Sequence, residues 1–293
     1  MDFLRPATWA DALAAKAEHP DALPICGGTD VMVELNFDVK RPPALLDLTR
    51  ITELRDWVPE DGWLRIGSGV TYSRLITELG MRLPGLAKAS RTVGSPQIRN
   101  RGTVGGNLGS ASPAGDAHPP LLADDALVEA HSARGSRRIP ITEFFTGVKR
   151  NALEPDELIA AFLVRPADGP QQFSKIGTRN AMVISVAAFA FALHPDQHRV
   201  GTGFGSAAPT PRRAPEAETF LNGELTDRGL WDSRAELDPA VVSRFGDLVA
   251  AAASPIDDVR GTADYRKHAL AVMAKRTLVW AWTEYRKEGR ACA

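Results

Sequence analysis

The chain has 293 residues, 44% of them hydrophobic and 24% charged, with 35 Lys and Arg against 36 Asp and Glu for a formal charge of −1. At roughly 100–200 residues per domain this predicts about two globular domains, and the balance of charge excludes a broad nucleic-acid or anionic-membrane surface. The two cysteines, Cys26 and Cys292, cannot by themselves build a disulfide framework, an iron–sulfur cluster or a structural zinc site.

The opening Met1-Asp2-Phe3-Leu4-Arg5-Pro6 lacks the apolar core of a signal peptide. Thr8 is placed to cap a helix over 9–18, with Ala12, Leu13 and Ala17 on its buried face. A short apolar run, Ala22 to Cys26, enters Gly27-Gly28-Thr29-Asp30, and a helical stretch then carries Val31, Met32 and Leu35. Strands are expected at 44–48 and 64–69, followed by a helix over 72–79 capped by Thr71. Residues 94–119 are rich in Gly, Ser and Asn and read as a long irregular loop, a length that in a compact domain implies function. Strands at 126–130 and 137–141 lead to a helix near 142–146.

A composition break at Pro166-Ala167-Asp168-Gly169-Pro170 divides the chain into 1–168, with lobes at about 1–56 and 57–168, and 169–293. Beyond it, 172–175, 183–193 and 200–205 read as three strands of an antiparallel sheet. The longest apolar run, Ala181 to Leu193, is broken by Ser185 and falls short of the ~20 residues of a membrane helix, so a cytoplasmic protein is expected. Helices are expected at 214–221, 239–252 and 262–287, the last with Ala269, Val272, Met273, Arg276, Val279 and Trp280 on its buried face.

Two glycine pairs are the main chemical signal, Cys26-Gly27-Gly28-Thr29-Asp30 and Thr103-Val104-Gly105-Gly106-Asn107. Each follows an apolar run, where a tight turn aims several backbone N–H groups one way and cradles phosphate oxygens without a lysine. Thr29, Ser110 and Ser112 could add hydroxyl donors, and two such turns could hold a pyrophosphate between them. A plain turn is the alternative for either pair alone. No Gly-x-Gly-x-x-Gly follows the first strand, and no Gly-Lys-Ser/Thr or Gly-x-Ser-x-Gly occurs, which disfavours Rossmann, P-loop and α/β-hydrolase enzymes. The six histidines show no metal-ligand spacing; Pro195 interrupts His194 and His198, which disfavours a helical ligand pair, and for most of the six a surface position is expected. Lys175 carries two readings: a cation beside a reducible ring, or the solvated surface lysine that is the more ordinary case.

These motifs resemble the FAD-binding (medium) subunit of the molybdenum hydroxylases, the family of xanthine dehydrogenase and carbon monoxide dehydrogenase. The resemblance runs nearly end to end. It rests on Phe3-Leu4-Arg5-Pro6, Gly27 to Asp30, Gln97 to Asn107, Ala111-Ser112-Pro113-Ala114-Gly115-Asp116, Pro155 to Ile159, Pro209-Thr210-Pro211-Arg212 and Tyr265-Arg266-Lys267-His268. The run from Pro170 to Ile184 is most similar to actinobacterial xanthine dehydrogenase.

The resemblance implies an α+β fold: a two-lobed FAD domain of the vanillyl-alcohol-oxidase type, then a C-terminal antiparallel sheet with helices. It implies that Ile25, Cys26, Gly27, Gly28, Thr29, Asp30 and Val31 wrap the FAD pyrophosphate, and that Thr103, Val104, Gly105, Gly106 and Asn107 form a second phosphate-facing turn. Asp116 would hydrogen-bond the cofactor, Ile159 would contact it through its backbone, and Lys175 would approach the isoalloxazine. No catalytic or metal-binding residue is expected here. Molybdopterin and [2Fe-2S] clusters would belong to a large and a small partner subunit, in a dimer of heterotrimers, with NAD⁺ or another acceptor reoxidising the flavin. Two features depart from the family pattern: Val93 where some relatives stack an aromatic residue, and Met182-Val183 in the loop after the lysine. A carbon monoxide, nicotine or aromatic-acyl-CoA type relative, a stand-alone flavin oxidase and a redox-silent nucleotide-binding module are the alternatives.

Overall fold

The structure, a computed structural model, describes residues 1–291, so Cys292 lies outside the described residues. In chain order the elements are β1 (Asp2–Leu4), α1 (Trp9–Glu18), β2 (Leu23–Ile25), α2 (Val31–Asn36), β3 (Ala44–Asp47), β4 (Trp57–Glu60), β5 (Trp63–Gly67), α3 (Tyr72–Glu78), α4 (Pro84–Arg91), α5 (Pro96–Arg101), α6 (Val104–Ser110) and α7 (His118–Ala123). They continue with β6 (Leu127–Ser132), β7 (Gly135–Pro140), α8 (Ile141–Phe144), β8 (Phe145–Gly147), β9 (Arg150–Asn151), β10 (Leu158–Val164), β11 (Gln171–Ile176), β12 (Ala187–His194), β13 (Arg199–Gly205), α9 (Pro215–Asp227), α10 (Leu230–Ser233), α11 (Pro239–Ala251) and α12 (Ala263–Ala291). Two compact units emerge. The first takes residues 1–78, 94–112 and 126–165; the second takes 79–93, 113–125 and 166 onward.

In the first unit, β1 and β2 flank β3 in a parallel sheet. The Thr8 hydroxyl accepts from the Asp11 N–H at 3.1 Å and starts α1 as the sequence predicts. The buried face differs from expectation: Ala12 is buried, but Ala17 is exposed and Lys16 takes its place. Residues four apart share a helix face, whereas Ala17 is five from Ala12 and has rotated outward. The Lys16 ammonium donates to the carbonyls of Pro20 and Ala22 at 2.7 and 2.8 Å, which makes its burial tolerable. Ala12, Ala22, Leu46, Leu48, Ile51 and Leu54 pack into one apolar cluster beneath.

The same unit holds an antiparallel sheet of order β4-β5-β10-β6-β7. Its central strand, β10, is buried at all seven positions, and no predicted strand covered it. The predicted loop at 94–119 is a correction: α5, α6 and α7 lie within it. Ser95 and Thr103 cap α5 and α6 by accepting from the N–H groups of Ile98 and Gly106, and Pro96 opens α5 at a position where no N–H is needed. Gly and Ser content masked these caps. The predicted helix at 142–146 is only the single turn α8, and the chain then enters the β8–β9 hairpin.

In the second unit, β11, β12 and β13 form the expected antiparallel sheet. The middle strand begins at Ala187 rather than Val183, and Met182 and Ile184 before it are exposed. A Cβ on Gly203 would collide with the Pro119 carbonyl, so glycine there lets α7 lie directly on β13. Phe189, Phe191, Phe204, Phe245, Leu270, Leu278 and Trp282 lead the core under α9, α11 and α12. The buried stripe of α12 runs through Leu270, Met273, Leu278, Trp282 and Tyr285, while Val279 and Trp280 are about half exposed, against the predicted face. The larger apolar set wins the core, because burial scales with apolar area.

Candidate functional site

In the first unit, β2 delivers Ile25 into the loop 26–30, and α2 starts at Val31. Gly28 sits at φ +73°, where a side chain is strained. Gly27 has a different reason to be glycine: a Cβ there would collide with the carbonyl of Arg101. The Cys26 thiol hydrogen-bonds Thr103, and burial pushes its pKa up. Thr29 faces Gly102, where an added Cβ would stand 3.3 Å from its hydroxyl. The first glycine segment therefore lies against the α5–α6 junction, and the fold unites the two pairs.

The second pair is the first turn of α6 rather than a loop turn. Thr103 Oγ1 accepts from the Gly106 N–H at 2.9 Å, and the Thr103 carbonyl accepts from Asn107 at 3.0 Å. The first four N–H groups of an α-helix have no intrahelical acceptor, so this junction presents donors. The Val104 side chain is fully buried, leaving only its backbone to act, and Gly105 packs against Ser68. Gly106 is exposed, and a Cβ there would meet only Thr103 Oγ1, at 3.1 Å. Among the described residues nothing else lies within 4 Å of that Cβ, whereas packing accounts for Gly27 and Gly105. The bare face of Gly106, beside the N–H groups of Val104 and Gly105 in the same first turn, fits a pyrophosphate. Ser110, expected as a further donor, spends its hydroxyl on the Gly106 carbonyl at 3.0 Å. Asp30 is exposed at the N-cap of α2 and makes no side-chain cap bond. Val31 and Asn107 are half-buried. Ile159 lies on β10 where the register with β6 shifts, and its Cδ1 faces Gly109 of α6.

Asp116 and Lys175 belong to the second unit. The Lys175 side chain is 8% exposed, and its ammonium lies 2.5 Å from Asp116 Oδ2 and 3.3 Å from the Thr92 carbonyl. The surface reading of this lysine is therefore corrected. Thr92 Oγ1 is 3.1 Å from the same carboxylate oxygen. Burial pushes the Asp116 carboxyl up, and Lys175 and Thr92 only partly offset it. Its other oxygen, Oδ1, is buried without a hydrogen-bond partner among the described residues. Thr92 escaped the sequence reading, since a lone threonine at a helix C-cap carries no signal. Of the two departures from the family pattern, Val93 closes α4 by donating to the Ser90 carbonyl, and Met182 stands exposed at φ +50°.

Four of the six histidines, His19, His131, His198 and His268, are exposed or half-buried, as expected for most of them. His118 and His194 are buried. His194 Nε2 lies 3.1 Å from the Ala123 carbonyl and Nδ1 3.4 Å from Asp168, beside Asp124, whose carboxyl burial pushes up to about 7. Among the described residues no group of three or more His, Cys, Asp or Glu could hold a metal ion, and no helix is long and apolar enough to cross a membrane.

Residues 1–165 match the family described as the FAD binding domain in molybdopterin dehydrogenase, and 172–281 match the CO dehydrogenase flavoprotein C-terminal domain. The chain belongs to the FAD-binding medium-subunit family of the molybdenum hydroxylases. It is similar to the xanthine dehydrogenase FAD-binding subunit of Escherichia coli O157:H7, with 34% identity over 94% of both chains. The nicotinate dehydrogenase FAD-subunit of Eubacterium barkeri is 35% identical over 76% of this chain and 80% of its own. Among solved structures, a chain of carbon monoxide dehydrogenase from Hydrogenophaga pseudoflava superposes with a TM-score of 0.88, at 28% identity over 97% of this chain and 98% of that one. The medium-subunit fold is thus as expected, α+β with a C-terminal antiparallel sheet, and the chain is the FAD-binding part of an oxidoreductase.

Proposed function

We propose that this chain is the FAD subunit of a xanthine dehydrogenase-type molybdenum hydroxylase. In this reading it takes electrons from iron–sulfur clusters of a small partner subunit and passes them to NAD⁺ or another acceptor, in the cytoplasm. Substrate oxidation takes place at molybdopterin in a large partner subunit, and the assembly is a dimer of heterotrimers. The observation that carries the cofactor reading is the union of both glycine segments at the α5–α6 junction, with the open face of Gly106 beside it. The purine assignment rests on likeness to a xanthine dehydrogenase subunit across 94% of the chain, while the nicotinate relative matches a shorter stretch.

FAD, when bound, supplies a carrier that accepts electrons singly and releases them as a hydride pair. The protein's own residues bind and orient. Backbone N–H groups near Gly27–Thr29 and Thr103–Gly106 are assigned to the pyrophosphate, with Thr29 adding a hydroxyl and Ile25, Val31 and Asn107 bordering the loops. Ile159 is assigned a backbone contact. For Lys175 and Asp116 the cofactor role rests on their buried pairing and on the unpartnered Asp116 Oδ1.

The test is a visible spectrum of the natural complex, followed by heat release of the cofactor. About one FAD per copy of this chain, bleached by xanthine and restored by NAD⁺, is the expected result. FAD that xanthine leaves oxidised removes the purine but keeps the cofactor. FAD that is bleached but not restored by NAD⁺ replaces the acceptor.

A further inference from the structure

The first unit contains a short hairpin, β8–β9, that the cofactor assignment leaves without a task. Its tip residue, Lys149, holds a left-handed φ of +52°, a conformation that costs a non-glycine residue energy and persists only where contacts enforce it. From that turn the Lys149 ammonium reaches α2 and donates to Glu34 Oε1, and Lys40 binds the other carboxylate oxygen at 2.8 Å. At the hairpin's base, Asn151 Nδ2 donates to the Gly109 carbonyl of α6 at 3.1 Å. One hairpin therefore grips both α2, which continues from the Gly27–Gly28 loop, and α6, which carries Gly105 and Gly106.

α2 depends on this grip to an unusual degree. It is six residues long, too short to persist alone, and Glu34 is its one buried residue. Met32 and Val33 of the same helix are 44% and 50% exposed, and Phe37 just beyond is 77% exposed. Val31 and Leu35 are only half-buried, so the one fully buried anchor of this helix is a carboxylate between two lysines.

We propose that the β8–β9 hairpin is a staple that fixes the spacing of the two glycine segments, with Glu34 as the positioning residue through which it holds the cofactor loop. The proposal rests on the FAD reading above. The charged groups facing Glu34 are Lys40, from the segment after α2, and Lys149, from the hairpin; Asp30 at the N-cap of α2 acts in turn on Lys149. Burial alone would raise the Glu34 carboxyl, but the two lysines outweigh it and hold it below the ordinary carboxylate range. The clamp is therefore intact at neutral pH and opens as acid protonates Glu34.

The experiment compares FAD retention in the purified complex for wild type, Glu34→Gln, Lys149→Gln, the double variant and Lys149→Arg. Retention is read from the fluorescence of released flavin between pH 7 and the lower carboxylate range. Either glutamine variant is expected to weaken FAD binding about tenfold at pH 7, the scale of one charge-assisted hydrogen bond. The double variant should be no worse than Glu34→Gln alone, since Glu34→Gln already breaks the contact that Lys149→Gln removes, together with the one to Lys40. Lys149→Arg should restore most of the affinity. Wild type should lose FAD on acidification, and Glu34→Gln should lose this dependence.

Normal retention in Glu34→Gln overturns the staple. So does weak retention in Glu34→Gln beside normal retention in Lys149→Gln, which would reduce Glu34 to a packing residue of α2. Lys149 sits at the exposed tip of the hairpin, its side chain 44% exposed, so its variants keep the test open if Glu34→Gln misfolds. Wild-type complex without flavin overturns the FAD reading itself, an outcome distinct from flavin that every variant retains.

Discussion

At the residue scale, four glycines that look equivalent in the sequence do different work. Gly27 and Gly105 admit neighbouring backbone, Gly28 supplies a positive φ, and Gly106 faces open space. Gly106→Val should lose FAD with only a small loss of stability, because the branch fills the open face and its Cβ presses only on Thr103 Oγ1, at 3.1 Å. Gly28→Val should lose both FAD and stability, because valine is strained at φ +73°. Flavin content and urea unfolding of each variant check the pair, and normal flavin in Gly106→Val would defeat the assignment. Lys175→Met leaves the Asp116 carboxyl buried without its cation, which should cost about 3 kcal/mol at pH 7. The deficit should shrink in acid, where Asp116 is protonated in folded and unfolded chains alike, and Asp116→Asn in the same chain should recover much of it. If Lys175 contacts the cofactor, the variant also lowers the flavin reduction potential, and an unchanged potential removes it from the site.

Element by element, capping chemistry was more legible than packing. Thr8, Thr71 and the β12–β13 strands follow from local sequence, since a hydroxyl before an apolar period and alternating β-formers act within a few residues. α5 and α6 were hidden because their caps lie among glycines and serines that read equally well as loop. β10 was missed because Leu158–Val164 is apolar at every position and so shows no period. The end of α7 carries a pH prediction. Asp124 receives a 2.8 Å hydrogen bond from Gln171 Nε2 and sits beside His194, and burial lifts its carboxyl from 3.8 to about 7. A carboxyl raised on folding binds a proton that the unfolded chain has released, so its contribution fades as pH rises from about 4 to 7. Over three pH units the loss is on the order of 4 kcal/mol. Unfolding free energies across that range should show the slope, and Asp124→Asn should flatten it.

For the whole molecule, cysteine usage sets the division of labour. Cys26 is half-buried against Thr103, and among the described residues no group of three or more His, Cys, Asp or Glu could hold a metal ion. The chain separated from its partners should therefore carry flavin at about one per copy with neither iron nor molybdenum, whereas the intact complex should carry all three. Metal analysis beside the flavin spectrum decides this. Iron that stays with the separated chain would contradict the proposed electron path.

By itself the sequence determined the family, the α+β class, the antiparallel second sheet and the identity of both glycine segments, because each is written in contiguous residues with strict local requirements. Tertiary structure alone decided that these segments meet, that Lys175 is buried on Asp116, and that the buried residue of α2 is a carboxylate paired with Lys149. Those outcomes join residues 59 to 115 positions apart. No local pattern encodes such pairings, since a lysine's fate depends on whether the fold excludes water around it and supplies a partner.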